Sequence, residues 1–179
     1  REARRPDGQR GLGSGWLVEH AGVGTQIAGR VRSNRSFHAP QDDRPMILIG
    51  AGTGLAGLRS HLKARAALGR KHNWLVFGER SSAHDFFHRQ EIEAWTASGV
   101  LDRLDLAFSR DQADKVYVQH RLSATADEVR AWVARGAAIY VCGSLEGMSR
   151  EVHAVLADIL GADALEDLAD QGRYRRDVY

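Results

Sequence analysis

The stretch "GAGTGLAGLR", residues 50–59, decides which fold the chain is expected to adopt. Four glycines fall within eight positions, and two nucleotide-loop patterns overlap there: Gly50-x-Gly52-x-Gly54 and Gly52-x-Gly54-x-x-Gly57. The apolar run "PMILIG" before it is typical of a strand buried on both faces. Glycines let a backbone approach a pyrophosphate closely, and the N-terminus of a following helix attracts anions. The loop therefore predicts a dinucleotide site, and a tight strand-to-helix turn without a ligand is the open alternative.

Strand and helix patterns alternate after this loop. The runs "NWLVFG", "LDRLDLAFS", "AAIYVCG" and the closing "GRYRRDVY" are predicted strands, and helical periodicity separates them. With the first run, they predict an α/β, doubly wound, five-stranded parallel sheet in the order 3-2-1-4-5, with helices on both faces. The helical positions expected to face the core are Leu55, Leu58, Leu62, Phe87, Ile92, Trp95, Met148, Val152, Val155 and Ile159.

The first 42 residues have a different character. "GSGWLVEH" predicts a short helix with Ser14 as its N-cap, and "TQIAGRVRSN" predicts a strand. Pro40 and the charged "QDDR" that follows it indicate a linker. We therefore expect one unit at residues 1–42 and a second at 43–179. The chain opens at Arg1 without a methionine, and we expect it to be a piece of a longer protein.

The composition excludes several classes of function. The chain of 179 residues has 25 Lys and Arg against 23 Asp and Glu, so no basic excess indicates a nucleic-acid partner. Its single cysteine excludes an internal disulfide framework and a cysteine-based zinc site. His84 and His88 have an i, i+4 spacing, but no third ligand accompanies them, and we expect no metal. No apolar run approaches the ~20 residues of a membrane span.

The residues after the second and third strands bear on the choice of cofactor. An NAD site places an acid about 20 positions after the glycine loop, and Glu79 is near that place. Its neighbour Arg80 argues against a simple NAD site. The segment "FSRDQADKVYVQ" supplies donors suited to a 2′-phosphate, with a solvated loop as the alternative. These donors are Ser109, Arg110, Lys115, Tyr117 and Gln119.

Several motifs together resemble one family. "GAGTGLAGLR", "FGER…DFF", "AFSRDQADKVYVQH", "IYVCGS" and "GRYRRDVY" follow the order and spacing of the ferredoxin–NADP reductase superfamily. The similarity is to its diflavin branch, which comprises sulfite reductase flavoprotein subunits and NADPH–haemoprotein reductases. It implies an NADP-binding domain that follows a remnant of an antiparallel β FAD domain.

The resemblance also implies roles for individual residues. Matching the 2′-phosphate and adenosine positions are Ser109, Arg110, Lys115, Tyr117 and Gln119. Expected on the pyrophosphate, ribose and loop side are Gly50, Gly52, Thr53, Gly54, Arg80 and Gly143. The positions implied beside the nicotinamide and flavin are Cys142, Asp177 and Tyr179. "GLGS", with Gly11 and Ser14, resembles an FAD-pyrophosphate turn.

Other interpretations of the catalytic candidates stay open. Cys142 is also explained as a buried structural thiol. Asp177 is also explained by pairing with Arg175 or Arg176, and Tyr179 by a docked chain end.

The chain departs from the family pattern at two positions. Gly57 stands where the family usually has proline, and Ser144 stands where it has aspartate. The Arg-x-Tyr-Ser element that binds FAD is not in this sequence. We therefore expect the chain to bind NADPH and to be inactive without the full FAD domain.

The resemblance implies an oxidoreductase that transfers hydride from NADPH to FAD and passes electrons to a flavin, haem or iron–sulfur acceptor. The resemblance leaves open whether the parent protein has an upstream flavodoxin-like domain with FMN, and whether it has membrane spans. It implies a redox acceptor protein as a partner, and we expect this domain to lie in the cytoplasm. The alternative from another class is a non-catalytic module that binds or senses NADPH.

Overall fold

The computed structural model describes residues 7–30 and 33–179. The chain divides into two compact units between Asn34 and Arg35. Residues 35–42, which the sequence prediction placed in the first unit together with the start of the linker, belong to the second unit. Within the described residues, no helix combines the length and apolar character needed to cross a bilayer.

The first unit contains one helix, α1, at Leu12–Glu19. Its N-cap is Gly11, with extended backbone (φ −62°, ψ 137°), so the prediction of Ser14 as N-cap is wrong. Ser14 is the third residue of the helix, because the backbone already turns helical at Leu12. The predicted strand is not found at 25–30 or at 33–34, and the rest of it lies outside the described residues. Alternation alone does not make a strand, since ladder hydrogen bonds need a paired segment.

The second unit is built on an all-parallel sheet of five strands in the order β3-β2-β1-β4-β5. This confirms the predicted fold. Parallel strands need a crossover between them, and the helices supply it on both faces. The strands are β1 (Met46–Ala51), β2 (Asn73–Glu79), β3 (Leu101–Phe108), β4 (Ala138–Gly143) and β5 (Tyr174–Val178).

Two hydrophobic layers cover the sheet, because successive side chains of a strand point to opposite faces. Ile47 and Ile49 pack into one layer with α4–α7, and Met46 and Leu48 pack into the other with α2 and α3. The sequence patterns did not predict α4. The helices are α2 (Leu55–Ala67), α3 (Arg89–Ala97), α4 (Val118–Ala124), α5 (Ala126–Ala134), α6 (Arg150–Leu160) and α7 (Ala162–Asp170).

One predicted core position is wrong. Ile92 and Trp95 are buried as expected, but the side chain of Phe87 is 52% exposed. Helix α3 begins only at Arg89, after His88 in a left-handed conformation (φ 59°), so Phe87 lies in the preceding turn. Its neighbour Phe86 packs inward instead, 5.4 Å from the ring of Phe108 and 6.3 Å from that of Phe77.

Candidate nucleotide-binding site

The glycine loop joins β1 to α2 at the carboxyl end of the sheet. Residues Gly52–Gly54 form a short 3₁₀ turn, which Gly52 enters with φ +59°. A Cβ atom on Gly54 would lie 2.5 Å from the carbonyl carbon of Cys142, and closer still to its oxygen. A Cβ atom on Gly50 would lie 2.8 Å from the same oxygen. Glycine is therefore required here because the loop packs directly against β4.

The end of β4 forms the next part of the edge. Gly143 has φ +152°, and a Cβ atom there would overlap Met148. Beyond it, Leu145–Ser149 form an irregular turn in which Gly147 has φ +87°. The predicted site residue Gly143 therefore has a backbone conformation that L side chains rarely adopt, so a larger residue there would be strained.

The terminal strand β5 brings the three catalytic candidates to this edge. Cys142 and Asp177 are register partners in the β4–β5 pair. The backbone N–H of Tyr179 donates to the carbonyl oxygen of Gly143 at 3.2 Å, and the N–H of Leu145 donates to the carbonyl oxygen of Tyr179 at 2.9 Å. Two backbone hydrogen bonds thus hold Tyr179 at the end of β4, and Asp177 lies beside Cys142.

The side chain of Tyr179 reaches back to the glycine loop. Its hydroxyl lies 2.5 Å from Oγ1 of Thr53, so the two hydroxyls are hydrogen-bonded. The sequence did not reveal this contact, which joins positions 126 residues apart. The side chain of Tyr179 is largely exposed. Its hydroxyl is hydrogen-bonded to Thr53, a residue that is predicted to contact the pyrophosphate.

The thiol of Cys142 is buried, and burial raises its pKa to about 11, with the Asp177 carboxylate adding to the rise. The thiol is therefore protonated and non-nucleophilic at neutral pH. Asp177 does not pair with its arginine neighbours. The guanidinium of Arg175 donates to backbone carbonyls, and that of Arg176 lies over the ring of Tyr174.

The ends of β2 and β3 are the other side of the edge. The N–H of Ser109 donates to the carbonyl oxygen of Glu79 at 3.0 Å, and that of Arg110 donates to the carbonyl oxygen of Arg80 at 2.8 Å. The two arginines, thirty positions apart, are brought together by this pairing. Asp111 continues this pairing, because its carboxylate accepts from the backbone N–H of Ser82. Hydrogen bonds from the side chain and then the backbone of Ser82 lower the pKa of Asp111.

Three cations are exposed at this place. In the described parts of the chain, the side chains of Arg80, Arg110 and Lys115 have no hydrogen-bond or ion-pair partner. By contrast, Glu79 is only 9% exposed, and its carboxylate accepts the N–H of Arg80 at 3.1 Å. The acid expected of an NAD site is therefore turned inward, and the three cations here are exposed without a partner among the described residues.

The N-terminus of α4 follows the cationic segment. The N–H of Tyr117 donates to Nδ1 of His120 at 3.2 Å, which orders the entry to this short helix. The ring of Tyr117 is 42% exposed. The amide oxygen of Gln119 is buried and has no hydrogen-bond partner among the described residues. His120, three positions after Tyr117, is the sequence signal for the start of α4, and the pattern analysis did not use it.

The remaining predicted residues lie elsewhere. Gly11 and Ser14 are the N-cap and third residue of α1 in the first unit, and their FAD-binding role stays a prediction. His84 and His88 belong to the segment between β2 and α3. Within the ranges that the structure describes, no three histidine, cysteine or acidic side chains are grouped so as to hold a metal ion.

These parts lie in one row along the carboxyl edge, in strand order. The cations lie at the ends of β3 and β2, the glycine loop follows β1, the thiol of Cys142 lies at the end of β4, and Asp177 and Tyr179 lie at the end of β5. Four strand spacings of ~4.8 Å make this row about 19 Å long. An open α/β sheet binds nucleotides in the crevice at such an edge. The fold and the site thus define a dinucleotide-binding domain.

Comparison with known proteins identifies it further. Residues 48–154 match the family described as an oxidoreductase NAD-binding domain. The chain is 39% identical to the sulfite reductase (NADPH) flavoprotein alpha-component of Vibrio vulnificus, 40% to that of Vibrio parahaemolyticus and 36% to that of Bacillus subtilis. These matches cover 94%, 94% and 96% of this chain and 29%, 29% and 30% of those proteins.

The chain belongs to the oxidoreductase NAD-binding domain family, in the diflavin branch of the ferredoxin–NADP reductase superfamily. It spans less than a third of the length of these relatives. What they contain beyond the matched region therefore comes to this chain only as a proposal.

Replacing Gly54 with alanine tests the close approach of the loop to β4. We expect Gly54→Ala to lower the free energy of unfolding by ~2 kcal/mol or more, because the methyl group would meet backbone that cannot move aside. Urea unfolding measures the loss. Gly29→Ala is the matched control, since a Cβ atom there has open space. Equal stability of the two variants would contradict the described packing.

The raised pKa of Cys142 predicts a pH dependence of stability. Its pKa is about 11 in the folded state against an ordinary value of 9.0, so the folded state favours the neutral thiol. This contribution is fully present below pH 9 and is lost as the pH rises from 9 through 11. We expect it to amount to ~2–3 kcal/mol in total.

Urea unfolding between pH 8 and 11 measures this loss in the wild-type chain and in Cys142→Ala. The alanine variant lacks the titrating group, so its stability should fall less steeply over this window. Parallel curves would show that burial does not perturb the thiol.

Proposed function

We propose that this chain is the NADPH-binding domain of a flavoprotein reductase and positions NADPH for hydride transfer to FAD held by the rest of the parent protein. The order of groups along the sheet edge supports this most strongly. Along the edge, three features follow the order of the parts of NADPH. The cationic end matches the 2′-phosphate, the glycine-lined turn matches the pyrophosphate, and the end with the buried thiol and the carboxylate matches the nicotinamide.

The cationic end would hold the adenosine 2′-phosphate. The guanidinium of Arg110 can bind two of its oxygens with a fork of N–H donors, and Lys115 adds a point charge. Arg80 lies next to Arg110 in the β2–β3 pair and extends the cationic surface toward the glycine loop. Tyr117, exposed at the start of α4, offers an aromatic face to the adenine.

The turn at Gly52–Gly54 would hold the pyrophosphate. Its backbone can be approached closely because two of its three residues lack side chains. Helix α2 begins directly after it, and the free N–H groups of its first turn favour an anion. The hydroxyl of Thr53 adds a donor once Tyr179 releases it.

The far end would receive the nicotinamide. When bound, NADPH supplies a hydride, which carries two electrons to FAD and leaves NADP⁺. The carboxylate of Asp177 would stabilise the positive charge that develops on the ring. The neutral thiol of Cys142 would supply a small apolar contact beside it and no nucleophile, as its raised pKa requires.

The partners form part of the same proposal. The relatives are named as alpha-components of an NADPH-dependent sulfite reductase, which supports a parent with an FAD domain and a separate redox acceptor protein. We also propose that the parent protein has a flavodoxin-like FMN domain and that Gly11 and Ser14 contact FAD. We propose a cytoplasmic location for this domain. A module that only senses NADPH would not need Asp177 for hydride transfer.

A comparison of two nucleotides tests the cofactor assignment. We expect adenosine 2′,5′-bisphosphate to bind at least about tenfold more tightly than AMP, since charged hydrogen bonds are worth ~1.5–3 kcal/mol each. Titration calorimetry measures both. Arg110→Met should remove most of the difference and leave AMP binding unchanged.

The control for this variant is Arg135→Met. Arg135 lies over Trp132 before the start of β4, at the other end of the sheet. The Arg135→Met variant should keep the full preference for adenosine 2′,5′-bisphosphate over AMP. Equal binding of the two nucleotides to the wild-type chain would refute the assignment.

The bond between Tyr179 and Thr53 generates a second test. Tyr179→Phe keeps the ring and frees the threonine hydroxyl for a phosphate. We expect it to tighten NADP⁺ binding by roughly two- to tenfold, the worth of one net hydrogen bond. Binding of adenosine 2′-phosphate, which has no pyrophosphate, should not change. Calorimetry with both ligands separates these effects. If NADP⁺ affinity stays the same, Tyr179 is only a docked chain end.

A further inference from the structure

The segment 35–41, which leads into β1, is bound to the α2 side of the sheet. The hydroxyl of Tyr140 donates to the carbonyl oxygen of His38 at 2.6 Å. The guanidinium of Arg175 donates to two carbonyl oxygens within the 3₁₀ turn Arg35–Phe37, at 3.3 and 3.1 Å. These side chains come from the two strands that carry the proposed nicotinamide-side residues.

A third side chain completes this clamp. The guanidinium of Arg70, just after α2, donates to the carbonyl oxygen of Pro40 at 3.0 Å and to that of Gln41 at 2.6 Å. Five hydrogen bonds from three side chains thus fix the backbone of a segment that has only one turn of regular structure. Such a segment would otherwise be free to adopt many conformations.

The clamp places one aromatic ring in the core. Phe37 is only 6% exposed, and its ring centroid lies 5.1 Å from that of His61 and 5.2 Å from that of Tyr140. Nε2 of His61 is buried with no hydrogen-bond partner among the described residues, and burial lowers its pKa. His61 is therefore neutral and packs as an aromatic ring.

Phe37 lies directly behind the proposed nicotinamide end. A Cβ atom on Gly57 would be 3.7 Å from Cε1 of Phe37 and 3.1 Å from Sγ of Cys142. The phenylalanine ring and the thiol thus line the same space beside the first turn of α2. A Cβ atom at position 57 would crowd the thiol, so the absence of a side chain at Gly57 allows Cys142 to pack against this turn.

The strand register shows how near the clamp is to the site. Tyr140 pairs with Arg175, and two residues further along the same strands Cys142 pairs with Asp177. Side chains two residues apart point to the same face of a sheet. The groups that hold the segment and the groups proposed to meet the nicotinamide are therefore neighbours on one face.

We propose that the segment 35–41 is a positioning element for the nicotinamide end of the site, with Phe37 as its positioning residue. The ring, fixed by the backbone clamp, supports Cys142 and the first turn of α2 from behind. That this end of the site receives the nicotinamide rests on the proposed function. The support of Cys142 by Phe37 is independent of the proposed function, and it can be measured without a nucleotide.

The experiment measures how fast a disulfide reagent labels Cys142, which is the only cysteine in the chain. In the wild type, labelling requires local opening of the packing around the thiol. We expect Phe37→Ala to raise the rate about tenfold or more at pH 8, because its removal leaves space behind the thiol. Phe37→Leu should return the rate most of the way to that of the wild type.

Two further variants separate positioning from general destabilisation. Trp95→Leu removes bulk from the same hydrophobic layer but at α3, and it should leave the labelling rate near that of the wild type. Tyr140→Phe removes only the hydroxyl bound to His38, and it should raise the rate about threefold. Urea unfolding of each variant allows rates to be compared at matched free energies of unfolding. Equal rates for Phe37→Ala and Trp95→Leu would overturn the proposal.

A binding measurement distinguishes this proposal from the proposed function. In Phe37→Ala, the affinity for adenosine 2′-phosphate should be unchanged while that for NADP⁺ falls several-fold, since only the far end of the site is disturbed. A wild-type chain that binds neither ligand would refute the proposed function and leave the labelling result intact. Equal losses for both ligands would show that Phe37 does not act on one end of the site.

Discussion

The close approach of the glycine loop to the carbonyl of Cys142 is the constraint on which the site depends. Gly50 and Gly54 leave no room for side chains because β4 passes directly beside the turn. β1 lies at the centre of the sheet, between β2 and β4, so its loop is the point where both halves of the edge meet. The same contact that packs the start of α2 against β4 therefore also forms the amide-lined turn that suits a phosphate.

The two ends of this edge differ in their physical character, and the difference supports the proposed direction of the ligand. Beside β3, Arg110 and Lys115 are exposed and have no partner among the described residues, as a surface for a highly charged phosphate requires. Beside β5, Cys142 is buried, neutral and close to a single carboxylate. A charged, well-solvated group fits the first end and a flat, weakly charged ring fits the second.

Much of the fold could be predicted because it depends on local pattern. Buried apolar runs identified β1, β2 and β4, the alternating pattern of LDRLDLAFS identified β3, and the glycine loop marked the start of α2. The errors have local causes as well. The residue type of Ser14 predicts a cap, but α1 begins at Leu12, and the helical period predicts Phe87 in α3, which begins two residues later. Helix ends depend on caps and turns that neighbouring structure selects, and α4 is too short to show a clear period.

The sequence by itself determined the strands, their alternation with helices, the glycine loop and the chemical types of residue at the edge, because periodicity and backbone freedom are properties of a few neighbouring residues. Only the tertiary structure decided which of these residues meet. The register of β2 and β3 places Arg80 beside Arg110, and the β4–β5 pair places Asp177 beside Cys142. The bond from Tyr179 to Thr53 spans 126 positions. Such contacts depend on how distant strands align, and no local preference encodes that alignment.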